Sequence, residues 1–191
     1  MYLSSFREQD KAALLEHLST KDVYNTTLNI PYPYTETDAD FWIRHRQQVT
    51  KRQGIEVTFA IRDSNGRLIG GIGADELELT ANNQADANLS NQVVVSPRAH
   101  RVEFGYWLAR PYWGQGIMTD AVRAYVKYAF TELNLLKLTA HVFVENLASA
   151  RVLEKNSFKL EGRLRQHFLK DGRLLDALAY GLLKDDWVNA H

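Results

Sequence analysis

Residues 104–121 read Phe-Gly-Tyr-Trp-Leu-Ala-Arg-Pro-Tyr-Trp-Gly-Gln-Gly-Ile-Met-Thr-Asp-Ala, and they limit the folds open to this chain more than any other stretch. Aromatic and aliphatic residues give way to Gly114 and Gly116 and then to a helical run, so the order is strand, turn, helix. The first N–H groups of a helix have no partner inside it and lie at the positive end of its dipole, which suits a phosphate or pyrophosphate. On these residues alone a plain tight turn is an equally good reading. No Lys-Ser or Lys-Thr follows the glycines, which disfavours a nucleoside triphosphate loop. The spacing also departs from the Gly-x-Gly-x-x-Gly of a dinucleotide fold.

The flanking pattern alternates strands with helices. Strand signals fall at residues 2–6, 57–62, 68–74, 92–95, 101–108, 138–144, 158–168 and 175–183. Helical spacing falls at 8–18, from a Thr35 or Thr37 cap to about 52, at 119–133, and at 147–155 behind an Asn146 cap. Asn65-Gly66 and Asp171-Gly172 mark hairpin turns. Between residues 24 and 34, Pro31 and Pro33 forbid regular helix. Gly70, Gly71 and Gly73 weaken their strand unless another backbone or a ligand comes close. Residues 80–90 read as a long loop. The strand, helix and strand from 101 to 144 imply a right-handed crossover if the two strands are parallel.

With 191 residues, 45% apolar and 24% charged, the chain reads as one domain over residues 1–191. Lysine plus arginine equals aspartate plus glutamate, 23 each, so bulk charge favours neither nucleic acid nor an anionic membrane. There is no cysteine, which removes disulfides, thiolate metal sites and cysteine nucleophiles and fits a cytoplasmic protein. No run approaches the ~20 apolar residues of a membrane span. The expected fold class is α/β (α+β). It has a central, twisted, mostly antiparallel sheet, parallel where the strands near 104 and 140 adjoin, with helices on both faces.

Taken in order, Leu28-Asn-Ile-Pro-Tyr-Pro-Tyr-Thr35, Leu68-Ile-Gly-Gly-Ile-Gly73, Val102-Glu-Phe-Gly-Tyr-Trp-Leu108, Tyr112-Trp-Gly-Gln-Gly-Ile-Met-Thr-Asp-Ala121 and Asn146-Leu-Ala-Ser-Ala-Arg-Val-Leu-Glu-Lys-Asn-Ser-Phe158 make a pattern. With Gly162, Asp171-Gly-Arg173, Asp176, Tyr180 and Leu182, it covers nearly the whole chain. The pattern resembles the GCN5-related N-acetyltransferases (GNAT), and among them the RimJ/RimL-type ribosomal-protein N-acetyltransferases. The resemblance implies acetyl-CoA as co-substrate, an amine as acceptor, direct transfer in a ternary complex, and no metal.

It also implies site residues. The family seats the pyrophosphate on an Arg/Gln-x-x-Gly-x-Gly/Ala turn, here Trp113, Gly114, Gln115, Gly116, Ile117 and Met118, with Thr119 following. Only Gly116 keeps the family residue. Met118 replaces a small residue and either narrows the site or turns its side chain away. The pantetheine arm would lie in a gap between two splayed strands, against Trp107, Leu108 and Ala109, with Asn146 and Ser149 beside it.

Amine attack on a thioester needs a base, because most alkyl amines are protonated at neutral pH. Glu103, on a strand face with Gly105 and Trp107, is the first candidate, and His141 on the next strand is the second. Many relatives carry a tyrosine acid seven residues after the asparagine, and here that position is Leu153. Tyr180 or water then takes that role, or CoA leaves as thiolate. Ile30, Tyr32 and Tyr34 are the candidate acceptor wall. Arg165, His167 and Arg173 read mainly as an exposed hairpin. A peptide or protein α-amine, a small-molecule amine and a non-catalytic acyl-CoA sensor all remain open. Apolar strand edges allow a homodimer.

Overall fold

The computed structural model describes residues 1–77 and 100–189. The expected loop at 80–90 and strand at 92–95 lie outside them. The chain starts with β1 (Tyr2–Ser4), a 3-10 turn, α1 (Lys11–Leu18), α2 (Lys21–Thr26) and α3 (Glu36–Gln53). Then come β2 (Thr58–Arg62) and β3 (Leu68–Gly73). After residue 100 follow β4 (Arg101–Glu103), β5 (Gly105–Leu108), α4 (Ile117–Thr131), β6 (Lys137–Phe143) and α5 (Leu147–Glu154). The long hairpin β7 (Lys159–Lys170) and β8 (Arg173–Leu183) and a last helix, α6 (Lys184–Asn189), complete it.

The expected central sheet is two four-stranded sheets, ordered β1-β2-β3-β5 and β4-β6-β8-β7. Among the described residues β4 and β6 pair in parallel, and the other strand pairs are antiparallel. The sheets meet where one strand breaks. Before Phe104 the strand pairs with β6, and after it the strand pairs with β3. Phe104 is 3% exposed and packs against Tyr125 at 5.3 Å and Phe158 at 5.6 Å, so the break is anchored in the core.

The glycines of β3 have a packing reason. A Cβ at Gly70 would come 2.6 Å from the Trp107 carbonyl oxygen, and one at Gly71 2.6 Å from the Trp107 indole nitrogen. Only glycine lets β5 approach so closely.

Two apolar clusters cover the first sheet from opposite faces. Ile61, Ile69 and Ile72 join Val122, Tyr125 and Phe130 of α4. Ala60 and Leu68 join Leu14 of α1, Val23 of α2 and Ile43 of α3. Helix α3 is well bounded. Thr35 and Asp38 form a reciprocal cap, and Gly54 ends it at φ 66°. The buried pair Arg62–Asp10, at 2.7 Å, ties α1's entry to β2. No helix among the described residues is long and apolar enough to cross a membrane.

Candidate active site

The break at Phe104 opens a gap between β5 and the far end of β6. The Phe104 N–H donates to Thr139 O at 3.0 Å, and the Ala109 N–H donates to Ile69 O at 2.9 Å. Successive residues of an extended strand aim their N–H and C=O groups at opposite edges. Trp107 and Ala109 therefore point these groups at β3, while Tyr106 and Leu108 point theirs into the gap. Of the three residues expected there, only Leu108 offers backbone to the gap, and Tyr106 joins it. The Trp113 indole N–H donates to the Leu108 carbonyl at 2.6 Å, and the Leu108 N–H has no hydrogen-bond partner among the described residues. The Tyr106 hydroxyl meets the Ser149 hydroxyl at 2.8 Å, bridging β5 to α5. Burial raises the Tyr106 pKa well above the usual phenol range.

The turn follows directly. Gly114 and Gly116 have φ of 74° and 78°, and Gly116 is the N-cap of α4. The first α4 bond runs from Asp120 N–H to Gly116 O at 3.1 Å, so the N–H groups of Ile117, Met118 and Thr119 have no partner within the helix, and none among the described residues. The Gln115 side chain donates back to Pro111 O. The Met118 side chain is 8% exposed and lies in the core, so it does not narrow the turn. Asn156 donates to Thr119 O at 3.1 Å, tying the end of α5 to the start of α4. Asn146 caps α5 by accepting from Ser149 N–H at 3.1 Å.

Glu103 and His141 stand together. His141 Nδ1 lies 2.9 Å from Glu103 Oε1 without the alignment of a directed hydrogen bond. Glu103 is 57% exposed and His141 19%. Tyr180 does not join them. It pairs in register with Ala140, whose neighbour His141 points to the opposite face of the sheet. Its hydroxyl donates to Glu154 on α5 at 2.9 Å, and its pKa is pushed up to about 12 by burial and then by that carboxylate. Leu153 is fully buried.

The site thus has three parts. One is a row of free amides at a helix start, the second an unpaired strand edge in a gap, and the third a carboxylate with an imidazole at the gap's mouth. The sequence also matches the family model for the Acetyltransferase (GNAT) domain over residues 1–159. The chain belongs to the GNAT acetyltransferase family.

This GNAT chain is similar to "Uncharacterized N-acetyltransferase p20" of Bacillus licheniformis, 41% identical over 88 residues, covering 46% of this chain and 49% of that one. It is 30% identical to a spermidine N(1)-acetyltransferase of Escherichia coli strain K12 over 105 residues, covering 55% and 56% of the two chains. The chain spans about half the length of the curated relatives it matches. Two solved structures share its fold. RimL, a ribosomal L7/L12 alpha-N-protein acetyltransferase in complex with coenzyme A, aligns at TM-score 0.77 with 19% identity over 96% of this chain and 94% of its own. Spermidine N-acetyltransferase from Vibrio cholerae with CoA and spermine aligns at 0.75 with 21% identity over 98% of each.

On the acceptor side, the GNAT chain separates the three residues expected in the wall. Tyr34 is buried in the core around α1, and Ile30 packs partly against it. Tyr32 is 42% exposed, sits 5.4 Å from the Tyr24 ring and lies beneath Lys21. The tip of the β7–β8 hairpin closes on this region. Lys170 donates to Tyr24 O at 2.8 Å and Thr27 O at 2.6 Å, and the Tyr24 hydroxyl donates to Asp171. Tyr106 and this latch were absent from the sequence expectations. Counting edges outward from the break would have found Tyr106, whereas the latch joins residues 147 apart in the chain. A separate cleft of about 300 Å³, lined by Ser5, Phe6, Arg46 and Lys51 among others, carries none of these groups.

Proposed function

We propose that the chain transfers an acetyl group from acetyl-CoA to the primary α-amine of a peptide or protein N-terminus, by direct attack in a ternary complex. The observation that carries this reading is the continuity of the site. The free amides of Ile117, Met118 and Thr119 lie at the start of the helix that follows β5. The unpaired edge at Tyr106 and Leu108 leads from there to Glu103. An extended arm ending in a diphosphate fits such a path, with the diphosphate on the amides and the arm pairing with the strand edge.

Acetyl-CoA supplies an activated acetyl thioester. The protein's own groups supply the rest. The Glu103 carboxylate, with His141 beside it, takes the ammonium proton, directly or through one water. The Leu108 N–H, aimed into the gap, donates to the oxygen on which negative charge grows. A free thiol has a pKa of ~8.5, so the departing thiolate needs little help. That is compatible with Leu153 and with the distance of Tyr180 from Glu103 across the sheet.

The relatives motivate two acceptor classes, since RimL is named for a protein α-amine and the Escherichia coli and Vibrio cholerae proteins for spermidine. Charge on the acceptor side favours the first. The hairpin tip that closes on the Tyr24 and Tyr32 region carries Lys170 and Arg173 and engages its one carboxylate, Asp171, with Tyr24. The test is CoA release from acetyl-CoA, with lysine-free peptides bearing a free or blocked N-terminus and with polyamines. Release with free but not blocked peptides is expected. Release with polyamines alone would contradict the acceptor assignment. Binding of acetyl-CoA without release by any amine would make the domain a sensor.

A further inference from the structure

The sheet face that holds Glu103 and His141 also holds a cluster of rings. His141 lies 5.1 Å from His167 and 6.4 Å from Phe168, and Phe168 lies 5.5 Å from Phe143 and 4.7 Å from His167. Register explains the meeting. Phe143 pairs with Ala177 and His141 with Ala179, so small residues on β8 let rings from β6 and β7 meet across it. Opposite Ala179 on β7 stands Gly162, where a Cβ would find nothing within 4 Å. A side chain at Gly162 would therefore stand in open space on this face, across Ala179 from His141.

The ring of His167 reaches this place through a bulge. Between the pairs Leu164–Ala177 and Phe168–Leu175, β7 has three residues and β8 has only Asp176. Gln166 takes φ 50° there, its N–H donates to Asp176 at 2.8 Å, and Arg163 donates to the same carboxylate at 2.9 Å. These bonds hold the Asp176 carboxyl below its usual range. Bulges of this kind re-aim side chains, and this one is pinned from both sides.

We propose that this ring cluster is a subsite for the acceptor, and that it takes an aliphatic or aromatic side chain borne on the carbon next to the reacting amine. The inference rests on the α-amine reading above and names the kind of first residue that reading leaves open. Glu103 attracts the ammonium, and His141, within 2.9 Å of it, is also a member of the ring cluster. Since His141 touches both the carboxylate and the rings, a residue whose amine meets Glu103 can set its side chain against the rings. Phe143 and Phe168 give the side chain an apolar surface, and the open space at Gly162 leaves it room. A polycation would need several carboxylates, whereas the rim at the hairpin tip presents Lys170 and Arg173.

The test uses lysine-free peptides that differ only in their first residue, Gly, Ala, Leu or Phe, with kcat/KM read from CoA release. The wild-type chain is expected to prefer Leu-first or Phe-first over Gly-first peptides by about tenfold or more, the discrimination an apolar pocket gives. Phe168→Ala should move that ratio about tenfold toward unity, and Phe168→Leu should restore part of it. Gly162→Leu should lower the Phe-first value more than the Gly-first value. A wild-type preference that is flat, or a ratio unchanged in Phe168→Ala, overturns the subsite while leaving α-amine acetylation standing. If no free N-terminus is turned over, the α-amine reading fails, and the subsite fails with it.

Discussion

Met118 divides its two ends between two tasks. Its side chain is 8% exposed in the core beneath α4, and its N–H is one of the free amides at the turn. Small family residues at this position therefore say nothing about what the amide can bind. Met118→Ala should destabilise the fold by about 2–5 kcal/mol, as other buried methionine truncations do. Denaturant unfolding will measure it, and the loss should appear in stability rather than in affinity for acetyl-CoA. Glu103 and His141 were legible as residues of neighbouring strands, while their contact follows from the register of β4 against β6. Tyr180 lies on the opposite face of the sheet from His141, which depends on the register of β8 against β6 that no local signal sets.

The elements show the same division between local and tertiary control. The caps at Thr35 and Asn146, both hairpin turns and the start of α4 were readable from residue type and spacing. The short helices Lys21–Thr26 and Lys184–Asn189 were not expected, since six residues carry too little periodicity to register. The break at Phe104 was invisible for another reason. Residues 101–108 read as one strand, and only competition between β3 and β6 for its edges divides it. The turn's conformation is the testable element. Gly116 at φ 78° has open space around a built Cβ, so a β-branched residue there would be strained by its backbone rather than by a clash. Gly116→Val should shift the N–H groups of the first turn and weaken acetyl-CoA binding by at least about tenfold, one missing charge-assisted hydrogen bond. Calorimetry will report it, and unchanged affinity would remove the turn from the site.

At the scale of the whole molecule, the mixed α/β class, the helices on both faces and the parallel pair in an otherwise antiparallel arrangement were legible, and the fold neighbours agree with them. Two sheets joined by one broken strand were not, yet that junction makes the gap. The turn, the strand edge and Glu103 form one proposed path for acetyl-CoA. An amide-resolved NMR titration of the labelled chain with CoA tests that path most directly. The largest shifts are expected at the amides of Ile117, Met118 and Thr119, with a second group at Tyr106 and Leu108. Shifts gathered instead around Ser5, Arg46 and Lys51, with the turn unmoved, would contradict it.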